Sequence, residues 1–195
     1  MIANPIERFT ELYRRAEAAD RAGIPDPNAM SLATVEHGYQ PSVRIVLLKD
    51  FDKRGFVFYT NYHGRKGREL LANAKAALCF YWAPLGAQVR IEGAVSKVSD
   101  AEADAYFATR PRLSQIGAWA SKQSEPIEKE GDLERRVAEY EKEFEGREVR
   151  RPPFWSGFRV SPDRMEFWEN RPNRLHQRHL YVRAGSAWET SVLYP

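Results

Sequence analysis

The chain has 195 residues, 43% hydrophobic and 29% charged, with 30 Lys and Arg against 27 Asp and Glu for a net charge of +3. That composition suits one globular domain spanning residues 1–195 and argues against extended disorder. The small basic excess, with acids interspersed and no aromatic-basic RNA motif, points to small anions as partners and away from nucleic acid.

Asn4 predicts the N-cap of a helix with Pro5 first and Glu7 third, and Ile6, Phe9, Leu12, Tyr13 and Ala16 recur at helical spacing to about Ala22. Arg8, Arg14 and Arg15 make this start unlike a signal peptide, and the apolar runs Ile45 to Leu48 and Ala76 to Trp82 are far shorter than the ~20 residues that cross a bilayer. A cytoplasmic protein with no membrane partner is therefore expected. Strand-like segments follow at Met30 to Val35, Ser42 to Lys49, Phe56 to Thr60, Ala76 to Trp82 and Gln88 to Val98, separated by turns at Glu36-His37-Gly38 and Asp52-Lys53-Arg54-Gly55. Cys79, the single cysteine, lies in the fourth of these and is read as packing; it excludes an intrachain disulfide and a thiolate metal cluster.

Ser99-Asp100-Ala101-Glu102 forms a capping box for a helix that ends before Pro111. A short helix around Gln115 to Ser121 and an amphipathic one from Leu133 to Phe144 come next. Alternation returns from Phe154, at Phe158 and Val160, Met165 and Phe167, Leu180 and Val182, and Trp188 to Leu193. The pattern predicts a mainly β (α+β) fold, a small antiparallel barrel with helices packed outside.

Three clusters suggest chemistry. Gly64-Arg65-Lys66-Gly67 opens a helix with cations at its positive dipole end, which is unfavourable unless an anion such as phosphate sits there; a solvated basic turn fits those residues equally well. Arg44 and Lys49 bracket an apolar strand, on opposite faces by alternation. In Arg174-Leu175-His176-Gln177-Arg178 an extended backbone puts two guanidinium groups and an imidazole on one face, a set suited to an anionic aromatic substrate. No dinucleotide fingerprint, P-loop, metal-ligand spacing or nucleophile elbow occurs, so phosphate binding falls to Arg and Lys, and an organic cofactor supplies the chemistry.

In order, these clusters resemble the motif set of the pyridoxamine 5'-phosphate oxidase family: RIVLLK from Arg44, FYTN from Phe58, RK at Arg65, RPRLSQIGAWASKQS from Arg110, FWSGFRVSPDRMEFW from Phe154 and RLHQR from Arg174. The resemblance covers nearly the whole chain from Ile6. It implies an FMN-binding split barrel, a homodimer with each flavin mononucleotide held between subunits. Carried onto matching positions, flavin contacts fall on Arg44, Ile45, Val46, Leu47, Leu48, Lys49, Tyr59, Thr60, Arg65, Lys66, Gln88, Gln123, Ser124, Trp168 and Arg178. Substrate contacts fall on Lys49, Tyr106, Arg110 and Ser114 around the phosphate, with Arg174, Leu175 and His176 at the ring; Arg174 and His176 are the implied catalytic pair.

The implied reaction oxidises pyridoxamine or pyridoxine 5'-phosphate to pyridoxal 5'-phosphate, with O2 as acceptor, H2O2 as product and NH3 released from the amine, as in vitamin B6 salvage. The chain departs from the family at Gln177, where an acidic residue is common, and at Gly64, where Ser is common. It also starts almost at the first helix, where members carry a further segment that helps close the substrate pocket. Rival readings are a phenazine-type flavin oxidase of the same fold and a non-catalytic flavin or haem carrier.

Overall fold

The computed structural model describes residues 2–19, 23–36 and 40–195. The first helix stops short of the expected Ala22, ending at Ala18 with Ala19 extended at ψ 137°, and the turn through His37 and Gly38 lies outside the described residues. The first helix, α1 (Pro5–Ala18), begins as expected, with the Asn4 side chain accepting from the Ile6 N–H at 2.9 Å. Four strands follow, β1 (Ala29–Val35), β2 (Pro41–Leu47), β3 (Asp50–Asp52) and β4 (Gly55–Asn61). Helix α2 (Arg65–Ala72) precedes β5 (Lys75–Trp82) and β6 (Ala87–Lys97), and three helices come next, α3 (Asp100–Ala108), α4 (Arg112–Ala120) and α5 (Asp132–Glu143). The chain ends in β7 (Trp155–Glu169), β8 (Gln177–Ala184) and β9 (Ala187–Leu193).

Two details differ from expectation. Asp50–Asp52, read as the approach to a turn, forms a short strand paired with β4. The region read as separate strands around Phe158 and Met165 is one strand of 15 residues. It stays continuous because β6 pairs along its whole length, from Lys97↔Phe158 to Ala87↔Glu169, with one register shift at Glu92/Gly93. Gly93 permits that close passage, since a Cβ there would lie 1.9 Å from the Ser161 carbonyl oxygen.

The other edge of β7 is divided. Its first half pairs with β4 (Asn61↔Trp155 to Phe56↔Val160), and its second half with β8 (Arg164↔Val182 to Glu169↔Gln177). The sheet, in the order β2-β1-β5-β6-β7-β4-β3 with β8 and β9 branching from β7, therefore forks between Val160 and Arg164. The two ends of that order are consecutive in the chain, joined through Leu48 and Lys49, and the Lys49 N–H bonds the Val57 carbonyl at 2.9 Å. This join curls the sheet into an antiparallel barrel with helices outside, as the alternation pattern predicts.

Inward residues of β1, β5, β6 and β7, among them Leu32, Phe80, Val89 and Phe167, build the core. Phe9 of α1 plugs it, fully buried, with edge-on contacts to Phe51, Phe56 and Phe80 at 5.0, 4.9 and 5.1 Å. A second cluster of Phe107, Ile116, Phe144, Val149 and Trp155 seats α3, α4 and α5 against the start of β7. Cys79 is half-buried on the outward face of β5, so it packs less deeply than expected.

Phe9→Ala leaves a cavity bounded by rings that cannot collapse into it, so a loss of about 3–5 kcal/mol in unfolding free energy is predicted, read by denaturant titration.

Candidate active site

The capping box opens α3 as expected: Ser99 Oγ accepts from the Glu102 N–H at 3.2 Å, and Glu102 accepts from the Ser99 N–H at 3.1 Å. Glu102 does a second job, accepting from Arg159 at 2.6 Å, a β7 side chain only 8% exposed that also reaches Asp52. These bonds fix α3 on the barrel, and its last turn then presents Tyr106 beside the cleft. Pro111 ends this stretch and opens α4, which begins at Arg112, three residues before the expected start. The polar Arg112-Leu113-Ser114 lacks apolar periodicity, yet Gln115 N–H bonds the Pro111 carbonyl at 3.0 Å, so Ser114 lies in a first helical turn.

A cleft of about 740 Å³ opens between β2, β4, the start of α2 and the α3–α4 corner. Of the expected flavin contacts, Arg44, Ile45, Val46, Leu47, Lys49, Tyr59, Thr60, Lys66 and Gln123 line it. Of the expected substrate contacts, Lys49, Tyr106, Arg110 and Ser114 do so. Four lining residues are cations, and none is a carboxylate.

Its floor is aromatic. Tyr59 stacks on Tyr106 at 4.1 Å between ring centroids and on Trp155 at 5.4 Å. Trp155 carries the Arg110 guanidinium at 4.6 Å from its ring centroid, and Lys49 Nζ lies 5.9 Å from the Tyr106 ring. Among the described residues Arg110 Nη1 is buried without a hydrogen-bond partner, and burial pulls the group below its ordinary pKa with the Tyr106 hydroxyl only partly opposing. A guanidinium stays charged, so its desolvation is a cost that an incoming anion repays.

At the other wall, Lys66 Nζ donates to Gln123 Oε1 at 2.9 Å, where Thr60 Oγ1 also donates at 3.1 Å. Burial first, and Arg44 second, lower the Lys66 pKa from 10.5, and Glu69 opposes them. Gly64 makes room for this: a Cβ there would meet Gln123 Oε1 at 2.4 Å. Arg65 lies beside the cleft, its N–H bonded to Ser124 Oγ at 3.2 Å and its Nε to Glu69 at 2.9 Å. Ser124 has φ 72°, a left-handed backbone that few serines adopt. Leu48 is core, 4% exposed. Arg44 is tucked against Thr34 and Ser42, while Lys49 lies beyond the end of β2 and is exposed; both line the cleft.

The remaining expected residues form a second group at the far end of β6, β7 and β8. Gln88, Trp168 and Arg178 pair across these strands in one row. The His176 ring lies 4.6 Å from Trp168 and its Nδ1 accepts from the Arg171 N–H at 3.3 Å, which leaves the proton of neutral His176 on Nε2. Arg178 Nε donates to the buried Glu166 at 2.8 Å.

The expectation that Arg174, His176 and Arg178 share an extended face is not met. Pro172 to Arg174 form a short turn, with Asn173 and Arg174 at φ 57° and 60°, so Arg174 leaves the alternation; Leu175 beside it is 69% exposed. Neither Arg174, Leu175 nor His176 reaches the cleft of its own chain.

Sequence reading missed Glu69 and left Trp155 unspecified. Glu69, 4% exposed, is the acid four residues after Arg65, a helical spacing that was open to detection. Burial alone raises its pKa, but hydrogen bonds from Thr34, Ser42, Arg65 and Arg44 outweigh it and hold the carboxyl at about 2, against an ordinary 4.5.

The fold and cleft define an FMN-binding split barrel of the oxidoreductase class. The chain belongs to the pyridoxamine 5'-phosphate oxidase family. The family model described as pyridoxamine 5'-phosphate oxidase matches residues 16–144, and the one described as the pyridoxine 5'-phosphate oxidase C-terminal dimerisation region matches residues 155–195. A pyridoxine/pyridoxamine 5'-phosphate oxidase of Myxococcus xanthus is 59% identical over 192 residues, covering 98% of this chain and 92% of that protein. The protein of the same name from Brucella canis is 54% identical, covering 99% and 95%. Among solved structures, PhzG of Burkholderia lata in complex with tetrahydrophenazine-1-carboxylic acid superposes with TM-score 0.89 at 34% identity, covering 100% of this chain and 94% of that one. A pyridoxamine 5'-phosphate oxidase-related FMN-binding protein of Nostoc punctiforme shares the fold with TM-score 0.76 at 17% identity, with full coverage of both chains.

Because its folded-state pKa is depressed, Glu69 contributes stability that is complete above pH 4.5 and drains away as the pH falls toward about 2. Thermal unfolding between pH 5 and 2.5 is predicted to show a steeper acid loss in the native chain than in Glu69→Gln; parallel curves would contradict it.

Proposed function

We propose that the chain is a homodimeric FMN-dependent oxidase of pyridoxamine and pyridoxine 5'-phosphates, acting in the cytoplasm as one split-barrel unit over residues 1–195. The single observation that carries the substrate class is Arg110, a buried guanidinium held on Trp155 with an unpartnered nitrogen, beside Lys49 and Ser114 in a cleft lined by no carboxylate. A dianionic phosphate satisfies that group; a neutral ring does not. That argument also ranks the phosphorylated substrate above a phenazine precursor, for which these cations have less use.

Two phosphates need two cation sets, and the residues fit both. Lys66, Arg44 and Arg65 at the α2 end suit the flavin phosphate, while the exposed apolar Ile45 and Leu47 of β2 suit its ring system. Held there, FMN would supply the electron acceptor for a two-electron oxidation at C4' of the substrate, with oxygen as the final acceptor giving hydrogen peroxide. With the amine substrate, water then releases ammonia.

The protein's own residues bind and orient. Lys49, Tyr106, Arg110 and Ser114 hold the substrate phosphate, and His176 and Arg174 address the ring, His176 with its Nε2 proton available to a ring substituent. Arg174, Leu175, His176 and Arg178 lie outside the cleft of their own chain, grouped with Trp168 at the far end of β6, β7 and β8, so one subunit does not bring both groups to one small substrate. A second copy related by a two-fold axis supplies the missing His176, Arg174, Gln88, Trp168 and Arg178, a reading supported by the match of residues 155–195 to a dimerisation region.

Arg110→Ala is predicted to lower kcat/KM for pyridoxamine 5'-phosphate by about 10- to 100-fold, the value of one charge-assisted hydrogen bond. The residual rate with unphosphorylated pyridoxamine should be unchanged. Equal losses on both substrates would contradict a phosphate role. Co-expressed Arg110→Ala and His176→Ala chains should show activity on pyridoxamine 5'-phosphate above that of either homodimer, because one site of the mixed dimer is intact; no gain would place the whole site within one chain.

A further inference from the structure

Glu69 belongs to none of the flavin or substrate contact sets above, yet it is the most heavily bonded carboxylate beside the cleft. Its side chain is 3% exposed and receives Arg44 Nη2 at 3.1 Å, Arg65 Nε at 2.9 Å, Ser42 Oγ at 2.9 Å and the Thr34 hydroxyl. Four donors from β1, β2 and α2 fill the acceptor capacity of one carboxylate. Thr34 and Ser42 also accept from Arg44, so each hydroxyl has one orientation open to it, proton toward Glu69 and lone pair toward the guanidinium. The result is a closed lattice that holds the Arg44 side chain from three sides.

We propose that Glu69 is a positioning residue, whose carboxylate fixes Arg44 and Arg65 at the places where they meet the flavin phosphate and so sets the preference for phosphorylated over unphosphorylated flavin. The inference rests on the FMN reading above. Two effects of opposite sign are in play. A carboxylate near a phosphate repels it. Against this, Arg44, Arg65 and Lys66 around the two acids Glu69 and Glu36 still leave a net positive group, and ordering two long arginine side chains before the ligand arrives removes rotamer entropy from the binding step. Arg65 gives Nε to Glu69 at 2.9 Å and Nη2 to the exposed Glu36 at 3.4 Å, and its Nη1 goes to neither carboxylate.

The placement also answers a local conflict. Two cations in the first turn of α2 oppose the helix dipole, and Arg65 preceding Glu69 by four residues is the weaker order for such a pair. Helix stability does not account for this arrangement; a preset anion site does.

The test is titration of full-length apo-protein with FMN and, separately, with riboflavin, followed by quenching of flavin fluorescence. Glu69→Gln should raise the Kd for FMN by at least about tenfold and that for riboflavin by less than about threefold. Equal losses for both ligands would make Glu69 a purely structural residue, and an unchanged or lowered Kd for FMN would mean that repulsion outweighs positioning; either overturns the proposal. If Glu69→Gln does not fold, Ser42→Ala keeps the carboxylate and removes one of its donors. It should then weaken FMN about threefold and leave riboflavin unchanged, and no difference between the ligands would overturn the proposal. If the unaltered chain binds neither flavin, the FMN reading itself falls, and this inference with it.

Discussion

A cleft lined by four cations and no carboxylate is the feature on which the rest of the structure turns. Charges brought together in a partly desolvated space raise one another's energy, and proteins ordinarily interleave acids to relieve this. Here relief comes from two sources. Aromatic faces carry Arg110 and approach Lys49, and one buried acid, Glu69, collects Arg44 and Arg65. Neither neutralises the site. The unspent positive charge suits an anionic ligand, and much of the surrounding architecture, from the Arg159–Glu102 bond under α3 to the space that Gly64 leaves for Gln123, keeps these cations in place.

Barrel topology bears on the proposal that the site divides between two copies. Strand β7 serves both arms of the fork: its first half, through Trp155, holds the Arg110 end of the cleft, and its second half, through Glu166 and Trp168, holds the group around Arg178 and His176. A rigid strand cannot fold these ends together.

Much of this was legible in the sequence because its signals are local. The Asn4 cap, the Ser99–Glu102 capping box and the alternation through β1, β5 and β6 each depend on a few neighbouring residues, and each appears where the spacing placed it. Arg44 and Lys66 were found because cations in apolar or helix-opening contexts stand out, whereas Arg110 came only from the family resemblance. What was illegible depends on distant partners. The continuity of β7 is enforced by β6, which pairs with it from Lys97↔Phe158 to Ala87↔Glu169 across 61 to 82 residues of sequence, and not by its own composition. The kink at Asn173 and Arg174 is a backbone state that alternation does not encode, so the shared face expected for Arg174, His176 and Arg178 failed. Glu69 looked like one acid in a charged helix, and only the three-dimensional meeting of β1, β2 and α2 reveals it as a hub.

The central claim is that these residues present a phosphorylated pyridine to a bound flavin for oxidation. Its most direct test is the absorbance spectrum of the FMN-loaded protein, recorded without oxygen before and after addition of pyridoxamine 5'-phosphate. The account predicts that the oxidised flavin band bleaches, and that air restores it with one pyridoxal 5'-phosphate formed per flavin. A flavin that binds but stays oxidised in the presence of this substrate would contradict it.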